Sequence, residues 1–225
     1  MSLGSRWCRR MPDVASCGRR MLLAAAAALM VAGGSAAAAW AADPPSQSAG
    51  GALQMCTGVY ALCDAAPCTP IPEQKSVPGS APTTKPSHAL CECVVRNGQN
   101  LGPGPCANRT PQSTPQGKYI LSTYSFALKD KLFLSCPAGG DRTVCFGYPC
   151  LVDESNPDRA HCTCPITYGS GAFETQGGDC NVGSCTQHLW QGGTAKEYAV
   201  INKKFATATG ETPPANCPAS PTPKP

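Results

Sequence analysis

The sequence has little charge and few aromatic residues, which make up 14% and 6% of its 225 positions. This charge is too low for a disordered, solvating chain, and 23 Pro with 23 Gly are too many for a helical bundle. Five of the 18 basic residues but only one of the 14 acidic residues precede Ala42. The remainder is neutral and has no basic run, so it has no electrostatic basis for binding nucleic acid.

Motifs of common catalytic sites are also missing. The sequence contains no C-x-x-C, which excludes the common zinc-ribbon and thioredoxin-like patterns. It contains no G-x-S-x-G of a serine hydrolase, and its His are limited to positions 88, 161 and 188. We therefore predict no catalytic residue and no cofactor.

Residues 1–41 have the pattern of an export signal. A basic stretch ends at Arg19-Arg20, an apolar run follows from Met21, and Ala39-Trp40-Ala41 offers a small-x-small cleavage site. The alternative is a membrane anchor, because Met21–Ala42 is long enough to cross a bilayer. The Ala-rich run and the cleavage-like site favour a cleaved signal, with the protein in the periplasm or secreted and no membrane span after cleavage.

Cysteine is abundant beyond the signal. Of 16 Cys, 14 follow residue 41, an even number that predicts seven disulfides in an oxidising compartment. They lie at Cys56, Cys63, Cys68, Cys91, Cys93, Cys106, Cys136, Cys145, Cys150, Cys162, Cys164, Cys180, Cys185 and Cys217.

The cysteine spacing recurs along the chain. The first cysteine block reads C-x6-C-x4-C-x22-C-x-C-x12-C over 56–106, and the second reads C-x8-C-x4-C-x11-C-x-C-x15-C over 136–180. Each block is followed by a β-rich stretch, Tyr119–Phe126 and Tyr198–Phe205, at an offset of 79 residues. This pattern predicts one structural unit used twice.

The recurrence also bears on secondary structure. It predicts a strand over Thr194–Ala206, although Ala, Lys and Glu in that segment favour a helix. Tyr119–Phe126 is predicted to be a strand that forms a hairpin with Leu132–Leu134 through Lys129–Lys131.

The order of six cysteines in each block resembles the epidermal-growth-factor-like module. That resemblance implies pairing of the first cysteine with the third, the second with the fourth and the fifth with the sixth. The implied disulfides are Cys56–Cys68, Cys63–Cys91, Cys93–Cys106, Cys136–Cys150, Cys145–Cys162 and Cys164–Cys180, which leaves Cys185 with Cys217. The calcium-binding form has an acidic cluster before its first cysteine, and this chain has Leu53-Gln54-Met55 there, so no calcium site is expected.

Each C-x-C pair has a predicted structural role. Side chains alternate along an extended strand, so both cysteines of a pair face the same way. Cys91/Cys93 and Cys162/Cys164 can each cross-link one face of a strand to two different segments. Such cross-links compensate for the small core that a unit of about 50 residues can bury.

The predicted fold class is a small, disulfide-rich, mainly β and loop protein with two tandem cysteine-rich modules after a cleaved signal peptide. The predicted boundaries are a signal peptide at 1–41, a flexible leader at 42–55, modules at 56–130 and 131–211, and a Pro-rich tail at 212–225. Pro72–Ser87 is predicted to be a surface insertion in the first module.

Two sets of side chains are candidates for binding. Four aromatic residues that lie near one another in the second module could anchor a partner: Trp190, Tyr168, Phe173 and Tyr148. His161, Cys162 and Cys164 form the alternative metal-ligating set, because thiolate and imidazole suit copper or zinc, but only if these cysteines are reduced. Local packing is the competing interpretation of the aromatics, and disulfide formation that of the cysteines.

These features favour an exported binding protein or an envelope structural component without catalytic activity, whose partner is an unknown protein or envelope component. One alternative is a periplasmic metal-binding or thiol-redox protein that uses the C-x-C pairs. A second alternative is a secreted inhibitor that presents Pro72–Ser87.

We expect the exported protein, analysed without reduction, to begin at Ala42 and to weigh about 14 Da less than its reduced form, because seven disulfides remove fourteen hydrogens. Intact-mass analysis with and without thiol alkylation measures this. Alkylation of Cys91, Cys93, Cys162 or Cys164 without prior reduction would contradict the prediction.

Overall fold

The computed structural model describes residues 52–72 and 85–218, which form a disulfide-rich, mainly β fold with two α-helices. The predicted signal peptide, most of the leader, most of Pro72–Ser87 and the end of the tail lie outside these residues. The strands are β1 (Leu53–Leu62), β2 (Pro67–Pro70), β3 (His88–Pro103), β4 (Gln112–Thr114), β5 (Gly117–Leu121), β6 (Leu134–Cys136), β7 (Arg142–Thr143), β8 (Pro149–Val152), β9 (Arg159–Thr167), β10 (Phe173–Thr175) and β11 (Leu189–Gln191). The helices are α1 (Ser184–Gln187) and α2 (Ala195–Thr209), and a 3-10 turn spans Cys106–Arg109. None of the described helices is long and apolar enough to span a bilayer.

Nine strands form one sheet, in the order β1-β3-β2-β11-β7-β9-β8-β5-β4, and an additional pairing joins β3 to β9. This pairing closes a ring of hydrogen-bonded strands that runs through β3, β2, β11, β7 and β9. Because β3 comes from the first cysteine block and β9 from the second, the two blocks share one continuous sheet.

The β3–β9 pairing aligns corresponding cysteines of the two blocks. Cys91 lies opposite Cys162, and each is the fourth cysteine of its own block. On either side of this central pair, Cys93 lies opposite Ala160 and Cys164 lies opposite Ala89, so the two flanking pairs are equivalent. The neighbouring strands keep the same relation, because Cys68 of β2 lies opposite Cys91 and Cys150 of β8 lies opposite Cys162.

Four disulfides pack together on the buried face of the sheet, and we call them the sulfur core. They are Cys63–Cys93, Cys68–Cys91, Cys145–Cys164 and Cys150–Cys162. The Sγ of Cys162 lies 3.2 Å from that of Cys93 and 3.5 Å from that of Cys63, so separate disulfides are in direct contact. Seven of the eight cysteines are at most 2% exposed. The predicted role of the C-x-C pairs is confirmed, because each pair cross-links one strand face to two segments.

The disulfide pairing is different from the one that the epidermal-growth-factor-like resemblance implies. In the first block the cysteines pair in a nested order, first with sixth (Cys56–Cys106), second with fifth and third with fourth. The second block keeps the two inner pairs, but its outer pair is Cys136–Cys185, and Cys180 pairs with Cys217. All seven implied pairs are wrong. Antiparallel strands place the two inner pairs of each block opposite one another in a nested order, whereas Cys136–Cys185 and Cys180–Cys217 overlap in sequence.

The predicted strand over Thr194–Ala206 is also wrong, because α2 occupies this segment. Thr194 and Glu197 form a reciprocal capping box at its N-terminus, and Gly210 ends it with a φ of +75°. The strand that corresponds to β5 is instead β11. Ile120 of β5 lies opposite Cys150, and Leu189 of β11 lies opposite Cys68, so each strand pairs with the other block.

The predicted hairpin between Tyr119–Phe126 and Leu132–Leu134 does not form. Only the first part of Tyr119–Phe126 lies in a strand, and β5 pairs with β4 and β8. Leu134 belongs to β6, which pairs with β10 in a separate two-stranded sheet. Phe133 bridges to Asn216 near the C-terminus.

We expect the double variant C63A/C93A to lose more stability than C180A/C217A. The two disulfides close loops of similar length, with separations of 30 and 37 residues, so their chain-entropy contributions are nearly equal. Loss of Cys63–Cys93 also leaves a cavity in the sulfur core, which should cost a further ~2 kcal/mol or more. Urea unfolding of both non-reduced variants measures this, and equal losses would contradict a packing contribution of the sulfur core.

Candidate ligand-binding cleft

A cleft of about 480 Å³ lies beside α2 and takes its walls from distant parts of the chain. One wall is α2 itself, and the others are the segments 142–148 and 191–193 together with single residues from earlier strands and turns. The lining side chains are Leu53, Asp64, Tyr124, Arg142, Val144, Phe146, Tyr148, Gln191, Lys196, Glu197, Tyr198, Val200 and Ile201. Its size is within the range typical of small-molecule sites, roughly 300–1,000 Å³.

An aromatic cluster holds α2 in place. Tyr198 and Phe205 are the buried residues of the helix, and they pack against Tyr124, Phe126 and Phe133. Ring centroids of Phe126 and Phe205 are 4.5 Å apart, and those of Phe133 and Tyr198 are 4.7 Å apart. These distances are typical of favourable aromatic pairs, so the helix wall is firmly positioned.

Asp64 is the buried acid of the cleft. It directly follows Cys63, whose disulfide fixes the end of β1, and only 4% of the residue is exposed. The Tyr198 hydroxyl donates to Asp64 Oδ1 at 3.0 Å, and Gln191 Nε2 donates to the Tyr198 oxygen at 3.4 Å. The main chain is fixed as well, because Gln176 N donates to the Asp64 carbonyl at 3.0 Å.

Burial changes the protonation of this acid. Desolvation raises the pKa of Asp64 to about 7, and the hydrogen bonds from Tyr198 and Gln191 only partly oppose that rise. Burial likewise raises the pKa of Tyr198 well above its usual range, and the nearby Asp64 carboxylate adds to the effect. Tyr198 is therefore a neutral donor at physiological pH, whereas Asp64 changes its charge near neutrality.

Arg142 carries the positive charge nearest to the cleft interior. Its Nη1 donates to the Gly192 carbonyl at 2.6 Å, and its Nη2 lies 4.0 Å from Glu197 Oε2. Its Nε is buried and has no hydrogen-bond partner among the described residues. Lys196, which is exposed, lines the cleft from α2.

The rest of the lining is mostly apolar. Leu53, Val144, Phe146 and Ile201 are only partly buried, and Val200 is 54% exposed, so hydrophobic surface is left open to solvent in the cleft. An open apolar surface with a few convergent polar groups is the usual composition of a ligand site.

Only one of the four predicted binding aromatics, Tyr148, lines the cleft. Phe173 is 1% exposed and packs beside the Cys136–Cys185 disulfide, so it is not a surface anchor. Tyr168 lines a different groove, where its hydroxyl donates to the Pro86 carbonyl at 2.7 Å.

Trp190 has a local packing role. Its ring lies so close to Gly177 that a Cβ there would meet the ring carbon Cε3 at 2.2 Å. Its Nε1 donates to the Ser184 carbonyl at 3.2 Å. The structure therefore separates the four aromatics, although they lie close together in the sequence.

The alternative metal set of His161, Cys162 and Cys164 does not assemble. Alternation along β9 places His161 on the opposite face from the two buried cysteines, and its Nε2 lies 3.8 Å from Asp153 Oδ2. Three groups of three cysteine sulfurs do lie within 4.8 Å of one another, but all belong to disulfides of the sulfur core. A sulfur in a disulfide is not a thiolate ligand.

Sequence reasoning missed Asp64, Arg142, Gln191 and Tyr198 as site residues. Asp64 and Arg142 are far from each other and from Gln191 and Tyr198 in the chain, and no motif links the four. Asp64 and Phe146 follow the second cysteine of their respective blocks, so the cysteine alignment was the one signal that relates any two residues of the cleft.

No protein-family model matches the chain, and no curated protein or solved structure matches it either.

We expect Asp64 to make the stability of the protein depend on pH. Its native pKa of about 7 exceeds the usual 3.8, so between these values the native state retains a proton that the unfolded chain releases. The free energy of unfolding relative to D64N should therefore be highest below about pH 4 and fall by up to about 4 kcal/mol by pH 8, at about 1.4 kcal/mol for each pKa unit.

Denaturant titrations of wild type and D64N across this pH range measure the effect. The variant D158N, which removes a carboxylate at an exposed position, should keep the wild-type profile. Parallel profiles of wild type and D64N would show that Asp64 ionises normally in the folded protein.

Proposed function

We propose that this is an exported, disulfide-stabilised binding protein that holds a small ligand in the cleft and performs no catalysis. The observation that carries the proposal is an open, mostly apolar cleft with a buried, hydrogen-bonded acid and one arginine among its lining residues. These groups give a ligand both a hydrophobic surface and fixed polar contacts.

The location that we propose is the periplasm or the exterior of the cell. Seven disulfides among the described residues support an oxidising compartment, and the signal-like pattern of residues 1–41 supports export. We also propose that the two cysteine blocks are two copies of one unit, which the matched register of β3 and β9 supports.

The chemistry of the cleft supports binding rather than turnover. Asp64 and Tyr198 are hydrogen-bonded to each other, and we assign this pair to holding α2 at the cleft rather than to a reaction. Binding by the cleft is also favoured over a purely structural role in the envelope, because an envelope component needs no open apolar cleft.

The alternatives receive less support. Thiol-redox chemistry requires an accessible thiol, whereas the C-x-C cysteines are buried disulfides. The inhibitor hypothesis rests on Pro72–Ser87, most of which lies outside the described residues, so it stays a prediction.

We expect Val200→Trp to weaken binding of Nile red, a neutral apolar dye, because Val200 is exposed on α2 and an indole there would occupy part of the cleft. Ala199→Trp is the matched control, since Ala199 is also exposed on α2 but does not line the cleft. Fluorescence titration measures both affinities. Failure of wild type to bind the dye, or equal binding by the two variants, would overturn the assignment of the cleft.

A further inference from the structure

The two carboxyl groups of the cleft already have partners within the protein. Glu197 Oε2 accepts from the Thr194 main-chain N at 2.7 Å and from the Thr194 hydroxyl at 2.9 Å, and it faces Arg142. Asp64 Oδ1 accepts from Tyr198, and at pH 6 most Asp64 carboxyls are protonated and able to donate. One oxygen of each carboxyl group is therefore engaged with a neighbouring residue of the cleft.

The donor groups are in surplus. Arg142 has a buried Nε–H without a partner in the described part of the chain, and leaving such a donor unsatisfied is unfavourable. Lys196 takes part in no ion pair among the described residues. Both residues line the cleft, and their unused hydrogen-bonding groups are cationic donors.

A ligand that complements these groups must supply acceptors and a negative charge at one end. Its other end must cover the apolar wall formed by Phe146, Val200 and Ile201. A carboxylate satisfies the first requirement, because guanidinium and ammonium groups form their strongest hydrogen bonds with such anions. An alkyl or aryl body satisfies the second.

We propose that the cleft binds an amphipathic monocarboxylate, with its carboxylate at Arg142 and Lys196 and its apolar body along α2. The inference rests on the proposed function and adds the chemical class of the ligand to it. Electrostatic complementarity selects this class over a neutral or cationic amphiphile of the same length.

The experiment compares three ligands with the same ten-carbon chain and different head groups: decanoate, decan-1-ol and decyltrimethylammonium. Each is titrated against the Nile red complex of the full-length exported protein at pH 6. We expect decanoate to displace the dye with an affinity about tenfold higher than decan-1-ol, which corresponds to about 1.4 kcal/mol. We expect decyltrimethylammonium to be the weakest competitor.

Two lysine variants test the position of the head group. Lys196→Gln should weaken decanoate about threefold, the effect of losing one solvent-exposed charge, and should leave decan-1-ol unchanged. Lys203→Gln is the matched control, since Lys203 is also exposed on α2 but does not line the cleft, and it should change neither affinity. Both positions are on the helix surface, so folding should be preserved.

The failures of the two proposals are distinguishable. If Nile red binds but decanoate competes no better than decan-1-ol, the carboxylate inference is overturned and the binding function stands. A stronger effect of decyltrimethylammonium, or an equal effect of the two lysine variants on decanoate, also overturns it. If Nile red itself does not bind to the cleft, both proposals fall.

Discussion

Contact between disulfides across the β3–β9 pair is the interaction on which the rest of this structure depends. Cys91 and Cys162 lie opposite each other at its centre, and each carries a disulfide to the neighbouring strand. A chain with few aromatic and aliphatic residues thus obtains a dense interior from sulfur, which is polarisable and packs closely. Two other disulfides of the sulfur core, those of Cys63 and Cys145, fix the positions of the next residues in the chain, Asp64 and Phe146, which line the cleft.

The cleft owes its polarity to a difference between the two cysteine blocks. Asp64 and Phe146 occupy corresponding positions after the second cysteine, and both line the cleft. One block therefore contributes a buried acid and the other an aromatic wall. α2, which has no counterpart after the first block in the described residues, covers this region and adds Tyr198 as the partner of the acid.

Strand alternation and cysteine spacing in the sequence predicted much of the architecture but little of the ligand-binding cleft. Alternation along a strand was sufficient to predict that Cys91 and Cys93 face the same way. The pairing of disulfides could not be predicted in this way, because it depends on which strands lie side by side. The 79-residue offset between the stretches that follow the two cysteine blocks led to the prediction that Tyr198 lies in a strand. The capping residues Thr194 and Glu197 instead start a helix there. Asp64 was missed because a single acid in a turn has no signature until tertiary contacts bury it.

The disulfides of the first block and those of the second block are not linked to each other, which determines what a single cut in the chain would do. Within the described ranges 52–72 and 85–218, every disulfide joins cysteines on the same side of the 107–135 segment, three before it and four after it. The halves are nevertheless interlocked, since β5 pairs with β8 and β11 pairs with β2. A protease that cuts once between the blocks would leave a complex with no covalent link between its two fragments. The nicked protein would stay assembled in native buffer and separate in denaturant without any reductant.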